Sequence, residues 1–506
     1  MYSPDLDTFC RMMNGDALVP VFRELPADLE TPVSVFLKLK GGGPCFLLES
    51  VERGEQLGRY SFIGTDPFLV FHASETEGTI NRYGEISAVP LGPPAVGPDP
   101  LHVMQSLLSN YKVARIPGLP RFFGGAVGYL SYDMVRFFEK LPPCTQDELC
   151  LPECTFLFTD TLVIFDHVQN KMKIVSNVSP SSDAEMAYQE AVAKIEAIVS
   201  ALSKPLPPEL PLYASVGDEP VASGLASNFS REGFKSAVAA AKGYIAAGDA
   251  FQIVLSQRLR CQTTASPFSI YRALRMLNPS PYMFYLDFGQ FQLIGSSPEM
   301  LVKLEEGEAE TRPIAGTRAR GSSEEEDEAI IADLLADPKE RAEHIMLVDL
   351  GRNDLGRVCQ YGTVHVPLYM GIEKYSHVIH IVSSVLGKLN QSHDAFSLLR
   401  ASFPAGTVSG APKIRAMEII NELEGLRRGP YAGAVGYFSF TGNMDTCITI
   451  RTIVMIGNTA YLQGGAGIVA DSDPEREYQE TLKKVEVLGK AVRMAEAKPS
   501  LLEAKG

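Results

Sequence analysis

The chain lacks tryptophan altogether, although phenylalanine and tyrosine are plentiful at 25 and 19. Chance usage is the plain reading; the sharper one is a protein that must be made when tryptophan is scarce. It also lacks an excess of positive charge. The formal net charge is -15 and the pI near 5.1, which argues against a nucleic-acid or anionic-membrane partner. No run approaches about 18 uninterrupted apolar residues, so no membrane span is expected. The opening "MYSPDLDTFCRMM" has acids and a proline where a signal peptide needs a basic start and an apolar run. The eight cysteines lack a paired Cys-x-x-Cys. Cys144, Cys150 and Cys154 cluster without zinc spacing, and reduced thiols in a cytoplasmic protein are expected.

What is present is ordinary globular composition, 45% hydrophobic and 21% charged, in a chain long enough for two or three domain equivalents. Residues 1–202 form an N-terminal region. Its runs at 44–51, 60–73 and 154–178 are β-rich with turn signals between them, and residues 183–202 switch to helical periodicity. Residues 203–226 hold five prolines and little pattern, and are the best linker candidate. Residues 227–495 resume with a helix and then the strand "AFQIVLSQRLRC". One short segment echoes another: "GAVGYLSY" (125–132) returns as "GAVGYFSF" (433–440), six of eight positions matching. A duplicated sheet unit and coincidence between two glycine-bearing strands both account for it.

Two segments carry paired acids. In "GGAGIVADSDPEREYQETLKKVEVLG", Asp473 is a good N-cap and Pro474 fits the first helical position. Glu477, Glu480 and Lys484 then fall on one face beside an apolar stripe. Gly464, Gly465 and Gly467, before that helix, permit tight turns and leave backbone N–H groups open to a ligand. In "DPKERAEHIMLVDLGRNDLG", Glu340 and Glu343 are again three apart, in a segment apolar on most faces. Buried acids need partners, and two Glu-x-x-Glu pairs offer the hard oxygens that Mg²⁺ takes. Taken alone, the spacing of the first segment favours a solvated Glu/Lys face with an i,i+4 pair at Glu480 and Lys484; the second pair shifts the balance toward a metal. "FPAGTVSGAPK" (403–413) looks like a phosphate loop but lacks the Gly-Lys-Ser/Thr. With Thr407 and exposed amides it can still hold a carboxylate.

These segments, together with "GDAFQIVLSQR", "SSPEML", "RPIAGTRARG", "YSHVIHIVSSV" and "RGPYAGAVGYFSF", resemble the chorismate-utilising enzymes, most closely the synthase subunits of anthranilate synthases. The motifs cover residues 228–492 in the family's order. The N-terminal half matches more thinly, through "LLESVERGEQLGRYSFIG" and "GGAVGYLSYD". The resemblance implies an α/β (α+β) fold of four layers, α/β/β/α, with two orthogonally packed, mainly antiparallel sheets and internal duplication. It implies chorismate as substrate and Mg²⁺ as cofactor. Glu343 and Glu480 would ligate the metal directly, and Glu340 and Glu477 directly or through water. Tyr431, Arg451, Gly465 and Lys484 match positions that grip the substrate carboxylates, with Gly464 and Gly467 in the same glycine unit. Gly316, Thr317 and Thr407 would line the pocket. Glu299 would be the general acid for the C4 hydroxyl, a role that requires burial to raise its pKa. His380 would serve in pyruvate loss and aromatisation.

Relatives that add water to the ring carry a lysine where this chain has Gln252. Relatives that make aminodeoxychorismate carry one where it has Ala315. Both are absent here, so the resemblance leaves ammonia as the nucleophile. No Gly-x-Cys-x-Gly turn is present, and a separate glutamine amidotransferase subunit in a hetero-oligomer is implied as the ammonia source. The Leu-Leu-Glu-Ser pattern, with Glu49 and Ser50, and "NPSPYMFY", with Pro281, Tyr282 and Met283, match the family's tryptophan feedback site. An aminodeoxychorismate synthase is the rival reading, and a non-catalytic amino-acid-binding regulator the alternative of a different class. Arg312, Arg318 and Arg320 receive no catalytic role and are expected as structural ion-pair partners.

Overall fold

Strands from the first 180 residues pair with strands from the last 260, so neither half closes a sheet alone. The fold was analysed on a computed structural model, which describes residues 1–50, 58–92, 97–144, 146–206, 224–374 and 378–497. Most of the proposed linker, 207–223, lies outside the described residues.

There are two large sheets, of 13 and 12 strands. Within the named strands every pairing is antiparallel. In the first sheet the halves meet where Cys45–Glu49 pairs with Tyr282–Asp287. In the second they meet where Gly125–Leu130 pairs with Ala434–Ser439, placing Gly128 opposite Gly436. The echo motifs are therefore neighbours across the centre of one sheet.

Chain order repeats on each side of these seams. Outward from the first seam, Cys45–Glu49, Tyr60–Thr65, Thr161–Asp166, Lys171–Val178 and Val19–Pro26 on one side mirror Tyr282–Asp287, Phe291–Ser297, Thr452–Ile456, Thr459–Ile468 and Gln252–Gln262 on the other. The same succession in both halves is the signature of internal duplication. The repeated glycines have a steric reason. A Cβ on Gly128 would meet Thr155 O at 1.9 Å, and one on Gly436 would meet Asp445 O at 2.1 Å, so only glycine lets these strands lie so close.

The faces of the sheets explain the four layers. Phe62, Phe122, Leu157, Phe284, Leu293 and Tyr437 fill the space between the sheets. Helices Leu6–Met12, Pro32–Leu39, Ala184–Leu202, Pro267–Leu277 and Pro474–Glu496 cover the outer face of the first sheet. Pro100–Ser109, Pro338–Gly356 and Ala395–Ser402 cover that of the second. Strands buried on both faces read as continuous apolar runs, "CTFLFT" being the clearest. The helical stretch read over 183–202 is the helix Ala184–Leu202, which Asp183 caps, and the expected cap Asp473 accepts from the N–H groups of Glu475 and Arg476. Among the described residues no helix is long and apolar enough to cross a membrane, and all eight cysteines are free thiols.

Candidate active site

The glycine segment departs from its sequence reading. Gly464, Gly465 and Gly467 sit inside the strand Thr459–Ile468, paired with Gln257, Ser256 and Val254, not in a tight turn. Their missing side chains admit neighbours instead. A Cβ on Gly464 would lie 2.8 Å from Thr481 O, one on Gly465 2.7 Å from the Tyr431 hydroxyl, and one on Gly467 2.6 Å from Gln252 Nε2. The strand is thus a bare platform on which helix Pro474–Glu496, Tyr431 and Gln252 converge. Lys484 lies over it, donating to Gly465 O at 2.8 Å and pairing with Glu480 at 2.7 Å. The i,i+4 pair is therefore real, and it sits at the rim of the site. Arg451, half-buried with φ +50°, donates to Lys484 O at 3.1 Å, and desolvation of its guanidinium pushes its pKa down. Burial drives the Tyr431 hydroxyl up to about 12.

The second acidic pair arrives on helix Pro338–Gly356, capped by Asp337. Glu343 accepts from Gln252 Nε2 at 3.0 Å. Burial raises the Glu343 pKa and the charge of Glu340 adds to the rise; burial likewise raises Glu477, with a further push from Glu480. Lys339 and Lys484 act on both Glu343 and Glu477, so the two pairs face a common space. Glu340 is held by Arg318 at 2.9 Å.

The donor chemistry fits a hard divalent cation: carboxylates only, two of them raised by burial and by a neighbouring acid, which a cation would relieve. Among the described residues, however, no three acidic, histidine or cysteine side chains are gathered closely enough to hold one. Arg318 pairs with one oxygen of Glu340 and Lys484 with one oxygen of Glu480, and the remaining lone pairs of each carboxylate suit a cation.

Glu299 and Thr407 line one cavity. Burial raises the Glu299 carboxyl to about 8, against smaller downward pulls from the Thr407 hydroxyl and Lys484. The Thr407 oxygen is close enough to exert that pull but is not aligned as a full hydrogen bond. At neutral pH Glu299 is therefore mostly protonated. His380 lies on Val378–Lys388, its Nδ1 3.2 Å from Gly316 O; burial first, and then Arg451, keep its pKa low. Gly316 has φ +66°, and a Cβ there would approach Glu340 Oε2 to 3.3 Å. Thr317 pairs with His380 through the backbone; its side chain lies outside the described residues. Ala315, only 8% exposed, sits one residue before Gly316.

The sequence reading missed the support beneath this site. Arg428 is 2% exposed. It donates to Glu424 at 2.6 Å, to Val408 O beside Thr407, and to Val254 O two residues from Gln252. Its guanidinium centre lies 5.7 Å from the Tyr431 ring. Glu424 in turn accepts from Ser256 N at 2.7 Å. One buried ion pair thus ties together three segments of the pocket. The only hint in the sequence was a charged "LRRGP" before Tyr431, and burial cannot be read from that. The other arginines behave as expected: Arg312 pairs with Glu373, Arg318 with Glu340 and Asp337, and Arg320 with Asp327. His344 is structural, buried with Nε2 2.6 Å from Ser383 Oγ.

A family model described as chorismate binding enzyme matches residues 43–490. The chain belongs to the chorismate-binding enzymes. Within them it lies among chains named anthranilate synthase component 1. That of Acetivibrio thermocellus is 48% identical, covering 98% of this chain and 99% of the relative. That of Aquifex aeolicus is 48% identical, covering 95% of each. The solved anthranilate synthase component I from Streptococcus pneumoniae superposes with TM-score 0.75 at 36% identity, over 92% of this chain and 99% of that one.

In this chorismate-binding enzyme a second cavity, of about 340 Å³, opens between the two sheets. Glu49, Ser50, Pro281, Tyr282 and Met283 all line it. The volume is that of a small-molecule pocket. The Glu49 carboxylate is already engaged: Arg275 donates to both oxygens at 2.9 and 3.1 Å, and Tyr271 donates its hydroxyl at 2.5 Å. Tyr282 donates to Asp445 at 3.0 Å.

Proposed function

We propose that this chain is the synthase component of an anthranilate synthase. It joins ammonia to C2 of chorismate, releases the C4 hydroxyl as water, and eliminates pyruvate to give anthranilate, which opens tryptophan biosynthesis. Chorismate and ammonia balance against anthranilate, pyruvate and water. The observation that carries the reading is the pairing of an acid held protonated, Glu299, with no lysine at 252 or 315. Gln252 is an amide bound to Glu343, and Ala315 is a buried methyl. Neither can attack the ring or deprotonate water, so the nucleophile comes from solution or from a glutamine amidotransferase partner.

The roles follow from chemistry. Lys484, Arg451 and the Tyr431 hydroxyl offer donors to the substrate carboxylates. Glu299 gives its proton to the departing C4 hydroxyl, with Thr407 beside it. His380, kept neutral by burial, can take the C2 proton when pyruvate leaves. Mg²⁺, when bound by Glu343 and Glu480 with Glu340 and Glu477 supporting, supplies positive charge to a ring carboxylate that four glutamates would otherwise repel. The cavity holding Glu49 and Ser50 is read as the tryptophan feedback site. An engaged Glu49 still has lone pairs for an α-ammonium group, and the aromatic walls suit an indole.

The test is to incubate the purified chain with chorismate, Mg²⁺ and ammonium and to follow anthranilate fluorescence with and without tryptophan. Fluorescent product, suppressed by tryptophan, supports the whole reading. A non-aromatic amino product would replace it with aminodeoxychorismate synthesis, and no turnover would favour a regulator.

A further inference from the structure

The cavity that holds Glu299 and Thr407 is lined by none of Lys484, Arg451 and Tyr431, the donors proposed for the substrate. It runs between helix Pro338–Gly356, the Ser402–Thr407 segment and the strands around Met300–Glu305 and Glu308–Thr311. Gln252 and Ala315, the positions that face the nucleophile on the family reading, do not line it. Its polar lining is Glu299, Thr311, Arg312, Asp354, Ser402 and Thr407, and leucines 301, 347 and 350 are among its apolar walls. Water-sized molecules can centre over ≈ 40 Å³ of it, where a single water needs about 10–15 Å³.

Two lining residues carry buried polar atoms without a protein partner among the described residues, Thr407 Oγ1 and Arg312 Nε. Buried polar atoms in a space of this size are ordinarily satisfied by water. Asp354, also on the lining, pairs with Lys413 at 3.0 Å, both side chains retaining slight solvent access at 17% and 15%. No other feature of the proposed reaction accounts for an acid there.

We infer that this cavity holds a short file of waters that returns a proton to Glu299, with the Asp354–Lys413 pair as its solvent-side end. The inference rests on Glu299 as the acid of the proposed reaction. In each turnover the C2–N bond forms and the C4–O bond breaks. Glu299 loses its proton to the hydroxyl, which leaves as water, and the new C2 ammonium sheds one proton to solvent. Glu299 must then regain a proton before the next chorismate. The file supplies it from solvent through Asp354 and also has room for the water released. The charged groups facing the two ends are Lys484 at Glu299 and Lys413 and Arg357 at Asp354. Asp354 is a relay that acts through water and does not touch the substrate.

The test uses the whole chain with ammonium as nitrogen source. Asp354→Asn keeps a polar partner for Lys413 but cannot pass a proton. It is expected to lower kcat by about 10- to 100-fold, short of the roughly 10²–10⁴-fold that a general acid itself contributes. The chorismate KM should stay unchanged, and the rate should recover with rising formate or imidazole buffer. Leu350→Phe, which fills the cavity without removing an acid, is expected to lower kcat with no response to buffer. Wild-type turnover in both variants would overturn the relay, as would an Asp354→Asn loss that buffer cannot restore. Absence of anthranilate from the wild-type chain would instead defeat the functional reading, so the two failures are distinguishable.

Discussion

Replacing Glu299 by glutamine removes the acid but keeps its shape. The rise of the Glu299 pKa from 4.5 to about 8 corresponds, at about 1.36 kcal/mol per pH unit, to a ceiling of roughly 5 kcal/mol. The residue keeps some solvent access, so an effect of about 2 kcal/mol is the working expectation. Its sign is definite. Below pH 4.5 the carboxyl is protonated in both folded and unfolded chains and has no pH-dependent effect. Between 4.5 and 8 the unfolded chain ionises while the folded one stays protonated, and stability falls as pH rises. Above 8 both are ionised and the loss is complete. Glutamine has no charge to desolvate. Glu299→Gln should therefore gain stability relative to wild type between pH 5 and pH 9, while anthranilate formation falls by about 10²–10⁴-fold. Urea unfolding of both proteins at pH 5, 7 and 9 measures the difference, and other titrating groups cancel in it. A difference that stays flat with pH would mean an ordinary carboxylate, and the assignment of Glu299 as proton donor would fail.

Other substitutions probe the remaining parts. Ala315→Lys places an ammonium at a buried position next to Gly316 and should cut anthranilate formation by crowding or trapping the substrate; near-normal activity would remove Ala315 from the argument. Ser50→Phe fills the cavity between the sheets and should abolish tryptophan inhibition while sparing turnover; unchanged inhibition would place the feedback site elsewhere. Gly465→Ala puts a methyl 2.7 Å from the Tyr431 hydroxyl and 2.9 Å from Leu255 O. It should raise the chorismate KM and cost about 1–3 kcal/mol of stability, read by steady-state kinetics and urea unfolding.

Much of this protein was legible in one dimension because its signals are local. The cap at Asp473, the helical periodicity over 183–202 and the β-rich runs need only neighbouring residues to be recognised. The ordered motifs from 228 to 492 were enough to identify the family. The lysine-free positions 252 and 315 were visible as bare letters. Pairing is not local. That "GAVGYLSY" lies against "GAVGYFSF" follows from sheet register, as does the duplication that runs through both sheets. The glycine segment misled for the same reason: three glycines suggest a turn until a helix, a tyrosine and a glutamine are seen packed onto them.

The order of residues alone sets which groups are available: carboxylates in pairs, one acid in "SSPEM", no lysine at 252 or 315, and no indole ring. The state of those groups depends on the folded arrangement. A carboxylate is an acid or a base according to its desolvation and its neighbours, and those neighbours come from hundreds of residues away. Burial raises the Glu299 carboxyl to about 8. Arg318 and Lys484 occupy Glu340 and Glu480. A buried Arg428–Glu424 pair, silent in the sequence, ties the Tyr431, Thr407 and Gln252 segments to one another.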